Sequence, residues 1–324
     1  MTEVNVAVWG LGQHALKKIL PALENSVGVR IKGVCSRSEE VVSRTRERLR
    51  CCGWTNPEAM LADSDVDVVY VSTPTGLHAE HGRLVLLANK HLWCEKPICE
   101  TPSEAQALVT LARDRGVTIA EAFMYLYHKQ FSHLKGVVAA GRLGQIRSVT
   151  CRFGIPPLEH PGFRIDPELG GGAFLDVGSY PVSALISLFP SGDPVVSFSE
   201  VIVAEGSPVD TAGRALLRYD ADLTATIEWG TGTAYRNEID LWGSNGSVST
   251  ERLFSKPADY VPMFRFLDLN GRETLELGEA ANHFEAMFRA FIDLIDDPVK
   301  AESERALIVR RARLADQIRN HQNQ

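Results

Sequence analysis

The sequence predicts a doubly wound, parallel α/β domain followed by an α+β domain with a mostly antiparallel sheet. In the first half, short apolar runs alternate with helical patterns, and parallel strands need such helices as crossovers. In the second half, apolar runs of strand length are separated by turn residues instead. The third observation is a glycine turn directly after the first strand. Such a turn is typical of the ligand-binding edge of α/β domains. We expect domains at 1–121 and 122–324, with a C-terminal helix that can pack back on the first domain.

The elements of the first domain follow from these periodicities. The run Val66–Ser72 is apolar at nearly every position, which is typical of a strand that is covered on both faces. Strands are predicted at Val4–Trp9, Val29–Cys35, Val66–Ser72, His91–Cys94 and Val117–Glu121, and helices at Gln13–Glu24, Glu39–Arg50, Leu77–Asn89 and Pro102–Arg115.

The second domain is predicted to contain more strands than helices. Turn residues at Tyr219–Asp222 and Gly243–Gly246 separate neighbouring β runs, as antiparallel connections require. Strands are predicted at Ile146–Phe153, Val195–Ala204, Arg214–Tyr219, Leu223–Trp229, Glu238–Trp242 and Ser247–Thr250, and helices at Gln130–Ala140, Ala280–Ile295 and Ser303–Asn320.

Composition excludes several classes of function. The formal net charge is −7 and there is no block of lysine and arginine, which disfavours a nucleic-acid partner. The start of the chain lacks a basic leader with an apolar run, and no segment approaches the length of a membrane span, so we expect neither a signal peptide nor a membrane partner. Six scattered cysteines suggest reduced thiols and a cytoplasmic location, and their spacing predicts no metal site.

The segment from Gly10 to Ala15 follows a strand and opens a helix. Gly10 permits the tight turn, Gly12 lets the backbone approach a pyrophosphate, and the small Ala15 allows the helix to pack closely. The N–H groups at the start of the helix, around Gln13 and His14, would face the anion. The segment therefore predicts dinucleotide binding.

The end of the second strand indicates which dinucleotide is bound. An NAD site would place Asp or Glu there to accept from the ribose hydroxyl. The sequence has Ser36, Arg37 and Ser38 instead, which can donate to a 2′-phosphate or pair with it. NADP(H) is therefore favoured over NAD(H). The alternative is that Arg37 only stacks on the adenine, which would leave the preference open.

Two further strand ends carry candidate site residues. Thr73 and Pro74 are predicted to shape the wall near the cofactor, since ligands bind at this edge of open α/β sheets. For His78 two alternatives remain, contact with a ribose or pyrophosphate and a bond to a loop carbonyl. Lys96, set between Glu95 and Pro97, is a candidate proton handler beside a hydride carrier. Taken alone, a lysine in this setting is more often a surface residue, so the hypothesis depends on the residues around it.

Seven segments together resemble the glucose–fructose oxidoreductase, inositol dehydrogenase and rhizopine-catabolism family (Gfo/Idh/MocA). They occur in the family's order and spacing along nearly the whole chain. The segments are Gly10–Ala15, Val69–His78, Glu95–Pro97, Glu121–Tyr125, Leu143–Arg147, Phe163–Pro167 and Gly170–Pro181.

The resemblance implies a bound nicotinamide dinucleotide and hydride transfer on a sugar, polyol or related substrate. It also implies that the second sheet has one open face, which commonly forms a subunit interface in homodimers or homotetramers. Lys96 fills the position beside the nicotinamide and the reacting oxygen, with Glu95 near the nicotinamide ribose. Asp176 followed by Tyr180 looks like the branch containing dimeric dihydrodiol dehydrogenase, glucose–fructose oxidoreductase and the sugar 3-ketoreductases, in which the tyrosine is the proposed proton donor.

The sequence departs from the family pattern in two places near the expected substrate. The run Met124–Lys129 lacks the family's arginine and proline, and Gly162 replaces an asparagine before Phe163. Both departures concern the identity of the substrate and leave the cofactor prediction unchanged. The resemblance implies four candidate substrate-binding residues, namely Tyr125, Phe163, Arg164 and Asp176.

These residues define a predicted mechanism. Tyr180 would protonate the developing alkoxide, Lys96 would hydrogen-bond the same oxygen, and Asp176 would orient substrate hydroxyls or Lys96. The favoured function is an NADP(H)-dependent keto-sugar reductase, with a nucleotide-linked 3-keto sugar of deoxysugar biosynthesis as a candidate substrate. One alternative is a dihydrodiol or aldose dehydrogenase that works in the oxidative direction. A non-catalytic NADP-binding regulatory protein is an alternative from another class.

Overall fold

The computed structural model describes residues 3–219 and 222–321. The chain divides into two compact units. The first contains the residues up to Ala122 together with Phe284–Ala312, and the second contains Phe123–His283 together with the residues from Arg313 onward.

The first unit contains a six-stranded, fully parallel sheet with helical crossovers. Its strand order is β3-β2-β1-β4-β5-β6, so the order reverses between β1 and β4 and leaves a crevice at their carboxyl ends. The strands are β1 (Val4–Trp9), β2 (Val29–Cys35), β3 (Cys52–Trp54), β4 (Val68–Val71), β5 (His91–Cys94) and β6 (Ile119–Glu121). This is the doubly wound parallel sheet predicted from the sequence.

Helices cover this sheet and contribute to an apolar core. Every residue of β4 is buried, as expected for a strand with helices on both faces. The helices are α1 (Leu20–Glu24), α2 (Glu39–Leu49), α3 (Pro57–Ala62), α4 (His78–Leu87) and α5 (Pro102–Arg115). Ile308 and Val309, from the distant C-terminal part of the chain, join the same core.

The glycine turn leads into an irregular helix. The prediction was one helix over Gln13–Glu24, whereas the structure has a π-helical turn at Ala15–Ile19 that continues directly as α1. Pro21 lies in the first turn of α1, where its missing N–H is tolerated. A wide helical turn immediately after a glycine turn is typical of functional sites.

The second unit contains an eight-stranded sheet of order β14-β13-β12-β11-β7-β10-β9-β8. Neighbouring strands are antiparallel except for β7 and β10, which are parallel. The strands are β7 (Ile146–Ile155), β8 (Val195–Ile202), β9 (Ala212–Tyr219), β10 (Leu223–Thr231), β11 (Arg236–Gly243), β12 (Gly246–Glu251), β13 (Met263–Asp268) and β14 (Glu273–Leu277). The predicted α+β fold class is confirmed. The turn predicted at Tyr219–Asp222 includes residues 220 and 221, which lie outside the described residues.

Among the described residues after β6, four segments are α-helical. They are α6 (Lys129–Ala139), α7 (Ser179–Leu188), α8 (His283–Asp296) and α9 (Pro298–Arg319). The sequence did not predict α7, because nine of its ten residues are buried and it has no charged face to mark a helical period. It also missed β3, α3, β13 and β14, which are short.

One face of the large sheet carries ion pairs between neighbouring strands. Arg152 pairs with Glu228 and Glu238 on the two neighbouring strands, and Arg214 pairs with Glu200. Trp242 on the same face is 64% exposed, which is unusual for a tryptophan in a sheet. We call this surface the open face.

No helix among residues 3–219 and 222–321 is long and apolar enough to cross a membrane. Within the same residues, no group of three or more His, Cys, Asp or Glu side chains is arranged to hold a metal ion.

Candidate active site

The turn after β1 requires glycine at its first position. Gly10 has a φ of +104°, and its N–H donates to the carbonyl of Cys35 at 2.9 Å. A Cβ at this position would lie 2.5 Å from the carbonyl oxygen of Ser72, so no other residue fits. Around Gly12, in contrast, no atom lies within 4 Å of where a Cβ would point. The turn is therefore packed against β4 on one side and open on the other, where Gln13 and His14 are exposed.

The end of β2 carries hydroxyl groups and a cation, and no carboxylate. Ser38 caps α2 by accepting from the N–H of Val41 at 3.4 Å, and Ser36 Oγ accepts from the N–H of Ser38 at 3.4 Å. Each hydroxyl keeps its own proton to donate to a ligand. Arg37 between them is exposed. This arrangement suits a 2′-phosphate, as the sequence predicted.

The wall after β4 contains a stacked pair that the sequence analysis missed. The ring of His81 stacks on Trp9 with centroids 4.0 Å apart, and Nδ1 of His81 lies 3.0 Å from the hydroxyl of Thr73. Burial lowers the pKa of His81, and the nearby Arg37 acts in the same direction. The neutral form of the His81 ring is therefore favoured, and this ring contacts the loop that contains Thr73 and Pro74. The spacing of His81 from Thr73 gave no signal of this contact.

His78 does not point into a ligand site. Its side chain is 1% exposed, and its two ring nitrogens lie 2.8 Å from the carbonyl oxygens of Thr73 and Pro97. Direct contact with a ribose or pyrophosphate is therefore not available to this ring. The structure supports the second alternative from the sequence, a histidine that binds loop carbonyls.

Glu95 lies at the centre of a hydrogen-bonded group at the carboxyl end of β5. Its Oε1 accepts from the hydroxyl of Tyr70 at 2.5 Å and lies 3.0 Å from Nε2 of His14. Its Oε2 accepts from the N–H of Lys96 at 3.4 Å. Tyr70 is fully buried, and the sequence analysis did not select it because it lies inside a continuous apolar strand.

These contacts determine the ionisation of Glu95. Burial by itself would raise the pKa of this carboxyl group. The charge of His14, the hydrogen bonds from His14 and Tyr70, and the nearby ammonium of Lys96 outweigh burial and lower the pKa to about 2. Glu95 is therefore a carboxylate at neutral pH, and its negative charge lies next to Lys96 in sequence.

In the second unit, Tyr180 lies in the first turn of α7 and inside an aromatic cluster. Its ring is 7% exposed and meets Phe153 and Phe123 edge-on, with centroids 5.1 Å and 5.5 Å away. The hydroxyl lies 3.7 Å from the sulfur of Met124, a weak acceptor. The apolar packing fixes the ring, so the position of the phenol oxygen is set by the fold.

Tyr125 was predicted to bind substrate, and in the structure it lies in the core of the second unit. The side chain is fully buried, and its hydroxyl lies 2.6 Å from Ser183 Oγ and 3.4 Å from the carbonyl of Tyr180. An aromatic residue in a run next to a motif can face either way, and here it faces the core. Tyr125 instead supports the helical turn that carries Tyr180.

Two other candidate substrate residues form an ion pair. Arg164 Nε donates to Asp176 Oδ2 at 2.8 Å, and both side chains are partly exposed. Asp176 lies in a π-helical turn, Phe174–Gly178, just before α7. Phe163 is also partly exposed, with the guanidinium of Arg164 5.0 Å from its ring centroid. The structure thus brings Phe163, Arg164 and Asp176 together on one side of the second unit.

Comparison with known proteins identifies the family. Residues 4–123 match an oxidoreductase family with an NAD-binding Rossmann fold, and residues 131–249 match the Gfo/Idh/MocA C-terminal domain. The chain belongs to the Gfo/Idh/MocA oxidoreductase family. The resemblance seen in the sequence is therefore confirmed. A parallel sheet followed by a mostly antiparallel sheet is the fold of this family.

The relatives of this Gfo/Idh/MocA protein include sugar-nucleotide reductases. A dTDP-3,4-didehydro-2,6-dideoxy-α-D-glucose 3-reductase from Saccharopolyspora spinosa is 32% identical over 97% of this chain and 96% of its own length. An NADP⁺-dependent D-xylose 1-dehydrogenase from Haloferax volcanii is 34% identical over 68% of this chain and 67% of its own.

A solved structure shows the same fold over the full length. The 3-ketoreductase KijD10 from Actinomadura kijaniata, in complex with NADP and TDP-benzene, superposes with a TM-score of 0.91 at 31% identity, covering 98% of this chain and 97% of its own. Structures of KijD10 have also been solved for variants in which one tyrosine is replaced by phenylalanine, or one lysine by alanine or glutamate.

Proposed function

We propose that this protein is an NADPH-dependent reductase that acts on the 3-keto group of a nucleotide-linked sugar. The observation that carries the proposal is the full-length similarity to 3-ketoreductases together with the presence of both Lys96 and Tyr180. The lysine and tyrosine replaced in the KijD10 variants are the same number of residues apart as Lys96 and Tyr180. A sensor protein without activity would have no need for this pair.

The residues of the first unit fit NADP(H). Gly10 and the open space at Gly12 allow the backbone to approach a pyrophosphate, and Arg37 with two serines can bind a 2′-phosphate. When bound, the cofactor supplies the hydride. The Glu95 carboxylate, held by Tyr70 and His14, would bind the nicotinamide ribose through its remaining acceptor positions.

Tyr180 and Lys96 would carry out the proton transfer that completes the reduction. A carbonyl that accepts a hydride develops negative charge on oxygen, and Tyr180 would donate its phenolic proton to it. Because a phenol has a pKa near 10 in water, it needs a neighbouring positive charge to lose its proton at neutral pH. Lys96 would supply that charge and hydrogen-bond the same oxygen. In alcohol oxidation the proton would move in the opposite direction.

Asp176 and Arg164 would orient the substrate. The bond between them joins Arg164 Nε to Asp176 Oδ2, and a carboxylate and a guanidinium can each take part in several hydrogen bonds at once. A carboxylate accepts from sugar hydroxyls, and a guanidinium binds a diphosphate or a ketone oxygen. This donor and acceptor pair suits a polar, charged sugar nucleotide better than a dihydrodiol.

A direct assay tests the function. NADPH oxidation is followed at 340 nm with a dTDP-linked 3-keto sugar, generated in the cuvette by the dehydration reaction that forms it. The controls are the unlinked keto sugar, and D-xylose and a trans-dihydrodiol with NADP⁺. We expect turnover of the nucleotide-linked ketone only. Faster oxidation of xylose or the diol would favour the oxidative alternative, and tight NADPH binding without any turnover would favour the sensor.

The proposal extends to assembly and location. The open face, with its exposed Trp242 and alternating charges, supports a homodimer or homotetramer formed through this surface. A cytoplasmic location is supported by the scattered free cysteines, several of which are buried.

A further inference from the structure

The peptide group between Pro97 and Ile98 is bound on both sides by buried side chains. Its carbonyl oxygen lies 2.8 Å from Nδ1 of His78, and its N–H donates to Oε1 of Glu121 at 2.9 Å. His78 is 1% exposed and Glu121 is 3% exposed. This peptide group follows Lys96-Pro97 directly, so its orientation constrains where the backbone of Lys96 lies.

The other ring nitrogen of His78 faces a second loop. Its Nε2 lies 2.8 Å from the carbonyl of Thr73, at the end of β4. Carbonyl oxygens only accept, so the ring binds both of them at once as an imidazolium and only one of them when neutral. Burial lowers the pKa of His78, while the two carbonyls and Glu95 oppose that effect and Lys96 reinforces it. A bond to Pro97 therefore requires a proton on Nδ1.

Glu121 is held from the other side by a distant part of the chain. Arg311 Nη1 donates to Oε2 of Glu121 at 2.6 Å and to Oε1 of Glu304 at 3.1 Å. All three side chains are buried, and buried charges are tolerated only when they are paired. The guanidinium thus fixes one oxygen of Glu121 and leaves the other directed at the N–H of Ile98.

We propose that His78 and Glu121 are positioning residues that hold the Pro97–Ile98 peptide group and thereby fix the ammonium group of Lys96. The inference rests on the proposed function of Lys96. Both side chains are buried and bonded to the protein itself, so we assign them no direct role in binding substrate or cofactor. Their effect is to limit the backbone freedom of Lys96, because misplacing a catalytic group by a fraction of its reach lowers the rate strongly.

The same sheet contains a matched control. His91, the first residue of β5, lies at the opposite end of this strand from Lys96. Its Nδ1 accepts from the N–H of Thr118 at 3.0 Å and lies 2.9 Å from the hydroxyl of the same residue. His91 therefore links two chain segments as His78 does, and it needs an unprotonated Nδ1.

The kinetic test compares His78→Phe and Glu121→Met with His91→Phe and Glu121→Gln. For the first two variants we expect kcat for NADPH-dependent ketone reduction to fall by about tenfold or more, with KM for NADPH changed by less than about threefold. Amide hydrogen exchange at Ile98 should accelerate in both. Glu121→Gln retains an acceptor for that N–H and should keep its protection, and His91→Phe should change neither readout.

A measurement on the wild-type protein keeps the proposal testable if these variants do not fold. Nitrogen-15 NMR of the histidine rings should show a proton on Nδ1 of His78 and none on Nδ1 of His91 at pH 7. An unprotonated Nδ1 at His78, or folded variants with wild-type kcat and wild-type exchange at Ile98, would overturn the proposal. If the wild-type protein shows no NADPH turnover, but amide exchange at Ile98 still accelerates in His78→Phe and Glu121→Met, the proposed function is refuted. The role of the two side chains in holding the Pro97–Ile98 peptide group would then stand.

Discussion

The hydroxyl of Tyr70, on the buried strand β4, donates a 2.5 Å hydrogen bond to Oε1 of Glu95 at the end of the neighbouring strand β5. His14 from the glycine turn binds the same oxygen. A carboxylate beside Lys96 is thus held between two strands and the turn that is expected to bind the dinucleotide. Its charge is maintained by partners that the fold supplies.

This carboxylate predicts a pH dependence of stability. The pKa of Glu95 is lowered to about 2 in the folded protein, below its ordinary value of 4.5, so its contribution is complete above pH 4.5 and is lost as the pH falls toward 2. The shift corresponds to about 3 kcal/mol at neutral pH. Urea unfolding of the wild type and of Glu95→Gln should differ by roughly this amount at pH 7 and by less at pH 3.5. A difference that does not depend on pH would contradict the ionised network. Tyr70→Phe removes one of the hydrogen bonds that lower the pKa of Glu95, so it should reduce the pH-dependent part of the free energy of unfolding without abolishing it.

Loss of the proposed acid should remove turnover and preserve cofactor binding. For Tyr180→Phe and Lys96→Ala we expect kcat for ketone reduction to fall by about a hundredfold or more, since general-acid catalysis contributes on this scale. Fluorescence titration should give an NADPH dissociation constant within about threefold of wild type.

Two other residues serve as matched controls for these variants. Tyr235 is a partly exposed tyrosine of the second unit that donates to the carbonyl of Ser255, and Lys32 forms a surface ion pair with Asp65 in the first unit. Tyr235→Phe and Lys32→Ala should retain wild-type kcat. Full activity in both Tyr180→Phe and Lys96→Ala would show that the mechanism is wrong.

Arg37 should determine the preference for the phosphorylated cofactor. Arg37→Ala should weaken NADPH binding by about tenfold to a hundredfold, the scale of a lost charge-assisted hydrogen bond, and leave NADH binding nearly unchanged. The wild-type affinity for NADPH should also decline with ionic strength more steeply than that for NADH. Equal losses for both cofactors would mean that Arg37 stacks on the adenine, the alternative that the sequence left open.

The ion pair between Arg164 and Asp176 should act on the substrate and not on the cofactor. Asp176→Asn and Arg164→Gln should each lower kcat/KM for the keto sugar, with the NADPH dissociation constant unchanged. The double variant should lose less than the sum of the single losses, because the two side chains contact each other. Strict additivity would show that they bind the substrate independently. The pair Arg214 and Glu200 on the open face provides a control pair of similar chemistry.

The open face predicts how the protein assembles. Trp242→Glu places a charge at a residue whose ring is 64% exposed in the single chain, and it should shift the sedimentation of an oligomer toward the monomer. Binding of NADPH should be retained, because the first unit does not contain Trp242. Leu269, on the loop between β13 and β14 and 74% exposed, offers the matched control Leu269→Glu. A wild-type protein that sediments as a monomer would refute this assembly.

Local patterns in the sequence determined the two sheets and the cofactor turn. Gly10 and Gly12 between a strand and a helix, the residues that follow β2, and the Glu95-Lys96-Pro97 segment depend on chemistry within a few neighbouring residues. For that reason they could be interpreted without knowing what packs against them. The strand β3 was missed because three residues are too few to show a period, and helix α7 was missed because it is buried on nearly all sides and has no charged face.

Only the tertiary structure decided which side chains face a ligand and which hold others in place. Tyr125 and His78 lie within motifs, yet both are buried and bonded to the chain itself. Arg311 reaches Glu121 across 190 residues of sequence, and Glu121 in turn binds the N–H of Ile98. No local pattern encodes such contacts, because their energy arises from desolvated groups that meet only after the chain has folded. The sequence thus predicted that Lys96 stands beside a nicotinamide site, and the fold determined which buried side chains hold the peptide group that follows Lys96-Pro97.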